Sequence, residues 1–168
     1  MGNNVRDEYF KWAEFAELIS SPPSMEASRA AGAVGRLEGY LLKHGDATGA
    51  YTQSYLLDVD TWVCLPEHRW PKHGVVSTRT QMVPLILALY GHPDAGGRWE
   101  AHCEKYSCIV GFVKIAEEWT SLYWHPQERA VLLVYVDDFK LAARREHHDE
   151  LWKGLRSVID MGLSLIHI

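Results

Sequence analysis

The stretch Val131-Leu132-Leu133-Val134-Tyr135-Val136-Asp137-Asp138-Phe139 decides how this chain is read. Its apolar run has the length and the β-branched content of a buried strand. Two adjacent carboxylates follow, although aspartate is depleted in strands and neighbouring like charges repel. A solvated acidic turn is the plain reading of such a pair. The chemical reading is that a hard divalent cation offsets the repulsion, taking carboxylate oxygens and keeping water or phosphate on its other positions. Upstream, residues 119–124 are strand-like and His125-Pro126-Gln127-Glu128-Arg129 is a polar turn. With residues 130–136 they predict a β-hairpin, with Asp137-Asp138 at or just past the apolar core of its second strand.

Working outward, Glu146 to Ile159 predicts an amphipathic helix that buries Leu151, Leu155 and Val158 or Ile159, with His147-His148 facing solvent. A second helix is expected over residues 98–110, placing Trp99, Cys103, Tyr106 and Val110 on one face, after the irregular His92-Pro93-Asp94-Ala95-Gly96-Gly97. Residues 61–66 form a β-like run, and residues 81–90 are apolar up to Gly91. Tyr40-Leu41-Leu42-Lys43-His44 predicts a strand that delivers Asp46, flanked by Gly45. Ser24 is a suitable N-cap for a helix over residues 25–37, and Asp7 for a short one over 7–19 that Ser20-Ser21-Pro22-Pro23 breaks. Mixed helices and antiparallel hairpins make the fold class α+β.

The composition limits the function classes. A chain of 168 residues with 47% hydrophobic and 23% charged residues fits one globular domain. It contains no apolar run approaching the ~18 residues of a membrane span, and its first residues lack a signal-peptide pattern. With three scattered cysteines, a reducing, cytoplasmic location is expected. Lys plus Arg number 17 against 22 Asp plus Glu, a net charge of −5, which argues against a sequence-independent nucleic-acid coat. An enzyme with an acidic metal centre remains compatible with that charge.

Other chemistry finds weaker support. His102, Cys103 and Cys108 match no zinc-finger spacing and read as core. Asp58, Asp60, Glu117 and Glu118 read as loop or surface carboxylates. There is no Gly-x-Ser-x-Gly elbow and no phosphate loop ending in Lys-Ser or Lys-Thr.

A series of motifs in order carries a family resemblance. Asp46-Ala47-Thr48-Gly49-Ala50-Tyr51 ends a strand with Asp, a small residue and an aromatic. Trp62-Val63-Cys64-Leu65-Pro66 follows, then Leu89-Tyr90-Gly91-His92-Pro93-Asp94-Ala95-Gly96-Gly97-Arg98-Trp99, then Gly111-Phe112 and the hairpin with Tyr135-Val136-Asp137-Asp138. In this order the chain resembles the reverse transcriptase of copia-type retrotransposons, in variants similar to the divergent copia elements of dinoflagellates. The resemblance spans residues 1–162 as a partial fingers and palm domain. It departs at Pro93 and Asp94, where the family often has Lys and Gln. Residues 163–168, Leu163-Ser164-Leu165-Ile166-His167-Ile168, resemble a translated sequencing adaptor and are expected to be a scar.

The resemblance implies a palm-like antiparallel sheet with packed helices, with fingers and thumb incomplete. It implies RNA-directed DNA polymerase chemistry, a nucleotidyl transfer from a dNTP to a primer 3′-hydroxyl on an RNA or DNA template. Asp46, Asp137 and Asp138 would be the catalytic residues and the ligands of two Mg²⁺ ions, with Mn²⁺ as an alternative. Tyr51 would be the steric gate that excludes a 2′-hydroxyl, a core tyrosine being the competing reading. Tyr90 and Gly91 would approach the templating base pair, and Tyr135 and Val136 the primer terminus. The rest of the retroelement polyprotein, with integrase and RNase H, would be the partner, and no membrane is implied. Two other readings stand beside it: an inactive relic or interaction fragment, expected to have little or no activity without fingers and thumb, and a small acidic-site nuclease.

Overall fold

The computed structural model describes Arg6, Lys11 and residues 23–56, 61–70, 82–116 and 118–162. The helix expected over 7–19, apart from Lys11, the tail 163–168, and Asp58, Asp60 and Glu117 lie outside the described residues. Within them, no helix is long and apolar enough to cross a membrane.

The chain is mixed α+β. A five-stranded antiparallel sheet has the order β1-β7-β6-β5-β4, from β1 (Tyr40–Asp46), β4 (Val113–Lys114), β5 (Leu122–His125), β6 (Ala130–Tyr135) and β7 (Asp138–Arg144). β2 (Trp62–Cys64) and β3 (Met82–Pro84) form a separate two-stranded ribbon. The expected hairpin forms as β5 and β6, although residues 119–121 are a turn into β5, with Ser121 at φ 59°.

Strand β7 has no counterpart in the sequence reading, which leaves residues 139–145 unassigned. The chain reverses through the two-residue loop Val136-Asp137 and returns between β6 and β1. Phe139, Leu141 and Ala143 then pack on one face and Ala142 on the other. With small alanines and one lysine among them, these residues lack the polar alternation that marks a half-exposed strand.

Helices cover both faces. Helix α1 (Met25–Val34) is capped by Ser24, whose hydroxyl accepts from the Ala27 N–H at 3.1 Å. It ends three residues short of the expected boundary at 37. Its buried Ala27 and Ala31 lie against Leu122, Val131, Leu133 and Ala142, small residues that let helix and sheet approach. On the opposite face, α2 (Ala95–Ile109) and α3 (Arg145–Arg156) enclose the larger core with Phe112, Tyr123, Leu132, Phe139, Leu141 and Trp152. Helix α2 begins at Ala95, so two glycines read as irregular lie in its first turn.

His148 corrects another expectation. It is fully buried on α3, where its Nε2–H donates to the Leu141 carbonyl at 3.2 Å. The helical turn that buries Leu151, Trp152 and Leu155 also turns His148 onto the sheet, whereas His147 pairs with Glu128 and Glu146 near the surface. Next to it, Lys43 of β1 reaches Asp149 at 2.8 Å.

Gly45 faces Trp152 so closely that a Cβ there would sit 2.8 Å from the ring. Trp152 is itself buried, so it has no open space into which to yield. Gly45→Ala is therefore expected to destabilise the fold by about 1–3 kcal/mol, read as a lower urea midpoint with unchanged slope.

Burial also holds the imidazoles of His44, His92, His102 and His148 below the ordinary histidine value. For His148 burial is the main cause. Lys43 adds to it, while the Leu141 carbonyl and Asp149 act in the opposite direction. A base with a depressed folded pKa binds its proton more readily when unfolded, so its contribution is present at neutral pH and lost as the solution acidifies. The urea midpoint should be flat from pH 8 to about 7 and fall below about 6.5. His148→Gln, which can keep a donor to Leu141, should lessen the slope of that fall.

Candidate functional site

Antiparallel register brings the acidic motifs together at one end of the sheet. Asp46, the last residue of β1, lies directly opposite Asp138, the first of β7, which in turn pairs with Tyr135 at the end of β6. Cross-strand partners share a face, so Asp46, Asp138 and Tyr135 form one rung on the face covered by α1. The next rung inward is His44 opposite Lys140, whose ammonium donates to the Ser28 hydroxyl at 2.9 Å. Burial first, and then the charge on Lys140, lower the His44 pKa, while Asp138 pulls it the other way.

Asp137 occupies the loop between the strands. Its carbonyl accepts the Ala47 N–H at 2.7 Å, tying the loop to the residue after Asp46. Before it, Val136 has φ 54°, and Asp137 is absent from the residues of positive φ. Positive φ at the first loop residue alone is the sign pattern of a type II′ hairpin turn, in which glycine is the usual first residue. A β-branched side chain there is strained. The Trp99 indole N–H donates to the Val136 carbonyl at 2.6 Å.

Two tyrosines stand beside this loop. The chain leaves Asp46 through Gly49 at φ 59° into a 3₁₀ turn, Ala50–Gln53, that carries Tyr51. The segment 85–90 is drawn alongside it, since the Leu56 N–H donates to Ile86 and the Ala88 N–H to Ser54. Tyr51 and Tyr90 thereby meet with ring centroids 4.4 Å apart. The Tyr51 phenol is raised by burial first, then by Tyr90 and by Asp137. Gly91, at φ 88°, turns the chain after Tyr90, and Tyr90 and Tyr135 are both about half exposed.

Every site residue named from the sequence thus lies at this end: Asp46, Asp137, Asp138, Tyr51, Tyr90, Gly91, Tyr135 and Val136. What the sequence did not reveal is the support behind them, namely Trp99, the His44–Lys140 rung and the segment after α3. In that segment the Thr48 N–H donates to Asp160 and the Gly162 N–H to Asp46. The Gln53 side chain also bonds the Asp160 backbone in both directions. Assigning residues 138–144 to a strand would have exposed the second rung.

The donor set suits a hard divalent cation in kind, being carboxylates on adjoining backbone with no cationic side chain paired to them among the described residues. Their side chains are not gathered into a cage: among the described residues no three His, Cys, Asp or Glu are grouped so as to hold a metal ion. Comparison with protein-family models, curated proteins and solved structures finds no match to this chain.

Like charges directly opposite in an antiparallel pair are destabilising. Asp46→Asn or Asp138→Asn in chelator-treated protein should therefore raise unfolding stability by about 0.2–1 kcal/mol. Monovalent salt should shrink that gain by screening the repulsion in the parent. An Asp46→Asn variant no more stable than the parent at low salt would show that the rung carries no repulsion.

Proposed function

We propose that this chain is part of a copia-type reverse transcriptase, an RNA-directed DNA polymerase, and that Asp46, Asp137 and Asp138 are its catalytic carboxylates. The observation that carries the reading is the register that sets Asp46 opposite Asp138, with Asp137 in the adjoining loop. These motifs are far apart in sequence, and a shift of one residue in either strand would reverse the face of an aspartate.

In this reading the three aspartates hold the divalent ions. Two bound Mg²⁺ ions would supply the acidity of the primer 3′-hydroxyl and neutralise the triphosphate and the departing pyrophosphate. The residues of the chain do the positioning that phosphoryl transfer chiefly requires. Tyr51 would lie under the sugar of the incoming dNTP and crowd a 2′-hydroxyl, its ring buttressed by Tyr90. Gly91 lets backbone approach the templating base pair, while Tyr135 and Val136 would flank the primer terminus. Template, primer and the remaining polyprotein, including integrase and RNase H, would be the partners.

An inactive relic or interaction fragment is the second reading.

A melting series with Mg²⁺ or Mn²⁺ tests the metal centre. A cation that binds only the folded chain stabilises it by ~2.7 kcal/mol at one hundred times its dissociation constant. The parent should gain melting temperature with the metal, and Asp46→Asn and Asp137→Asn should lose most of that gain, with monovalent salt at matched ionic strength as the control. Primer extension on a labelled RNA–DNA template-primer tests the chemistry. Elongation abolished by Asp137→Asn supports the polymerase, cleavage of the duplex would indicate a nuclease, and metal-independent melting with no product would leave the relic.

A further inference from the structure

We propose that Trp99 is a positioning residue for the acidic loop: its indole N–H holds the Val136–Asp137 peptide in one orientation and so fixes where Asp137 and Asp138 present their carboxylates. The inference rests on the reading of those carboxylates as metal ligands.

Types I′ and II′ of a two-residue hairpin turn differ in the orientation of the central peptide. Type I′ has positive φ at both loop residues and type II′ only at the first. Here the central peptide is the one joining Val136 to Asp137, and its oxygen is the acceptor of the 2.6 Å bond from Trp99. Glycine normally makes type II′ favourable, and this loop has valine at that position with φ 54°. Aspartate tolerates positive φ better than most residues, so a flip to the type I′ arrangement is open to Asp137. The local sequence therefore does not secure the observed turn.

Trp99 supplies what the loop lacks. It is 3% exposed, packed in the core beneath the sheet, and its ring stacks on His102 at 5.3 Å. A side chain fixed in this way points its N–H in one direction. The following carbonyl, that of Asp137, is taken by the Ala47 N–H at 2.7 Å. Both loop carbonyls are thus committed, one to helix α2 and one to the strand end that carries Asp46. A flip of the central peptide breaks the bond to Trp99 and leaves a buried indole N–H without a partner.

The test uses the whole chain and Mn²⁺ as the probe, with affinity read from the paramagnetic signal of free Mn²⁺ and stability from urea midpoints. Trp99→Phe keeps an aromatic ring and removes the donor. It should lower Mn²⁺ affinity about tenfold while unfolding stays cooperative. In a Val136→Gly background, where the type II′ turn is favoured by its own sequence, the same replacement should cost about threefold or less. Equal losses in both backgrounds, or no loss in the parent, would overturn the positioning role while leaving the metal site intact. Failure of the parent to bind Mn²⁺ would instead overturn the metal reading, and the positioning role with it. Hydrogen exchange in the parent needs no variant to fold: the Trp99 indole proton should exchange far more slowly than that of exposed Trp62. Comparable exchange at the two indoles would overturn the proposal.

Discussion

The register of β7 between β1 and β6 is the constraint on which the rest depends. One strand is hydrogen-bonded along both edges and covered on both faces, by α1 on one side and by α2 and α3 on the other. Its alternation sends Phe139, Leu141 and Ala143 into the larger core and leaves Asp138, Lys140 and Ala142 on the α1 side. A slip by a single residue would carry Lys140 into the larger core and Phe139 out of it, so core packing and register enforce one another. The same lock fixes the partners at the strand end. Asp46 meets Asp138 because Ala142 meets Leu42 further along.

Much of this architecture is legible in local sequence. The cap at Ser24, the apolar run of β6 and the helical spacing of Leu151 and Leu155 each state a local preference that the fold keeps. Local pattern fails where tertiary context supplies the reason. Strand β7 combines small and charged residues whose environments differ because α1 covers one of its faces and α2 with α3 the other. His148 lies in a polar sequence, yet helical geometry directs it toward the Leu141 carbonyl, an acceptor contributed by another element. At the candidate site, Asp137 and Asp138 could be singled out because adjacent carboxylates beside an apolar strand are costly, whereas Asp46 and the tyrosines were named only through the family resemblance. The indole that holds Val136 could not, since a tryptophan on an apolar helix face reads as core, which Trp99 also is.

Local consistency is broken chiefly at one end of the molecule. Elsewhere many side chains follow ordinary preferences, with alanines where helix and sheet are close, glycine where Trp152 crosses β1 and the Ser24 hydroxyl at the cap of α1, although Arg129 also holds a positive φ in the turn before β6. At the acidic end, two carboxylates oppose one another across a ladder, a valine holds φ 54°, and tyrosines stand half exposed. None of these choices improves folding. Departures of this kind, clustered in space and supported from behind by well-packed elements, are characteristic of sites where function opposes stability.

The bracing at this end is arranged so that it does not cover the carboxylates. Backbone groups do most of the holding: Asp46 accepts from Gly162, Ala47 donates to Asp137, and Thr48 donates to Asp160. Gln53 and Trp99 add side-chain bonds, and these too end on backbone atoms of neighbouring segments. A scaffold whose hydrogen bonds end on main-chain groups fixes the backbone positions of Asp46, Asp137 and Asp138, and among the described residues no cationic side chain pairs with them. If stability alone had shaped this end, a lysine or arginine beside the aspartates would have been the simpler solution. Lys140 lies only one rung away, yet its ammonium is directed to the Ser28 hydroxyl. The result is a braced backbone carrying three carboxylates that, among the described residues, no cationic side chain pairs with.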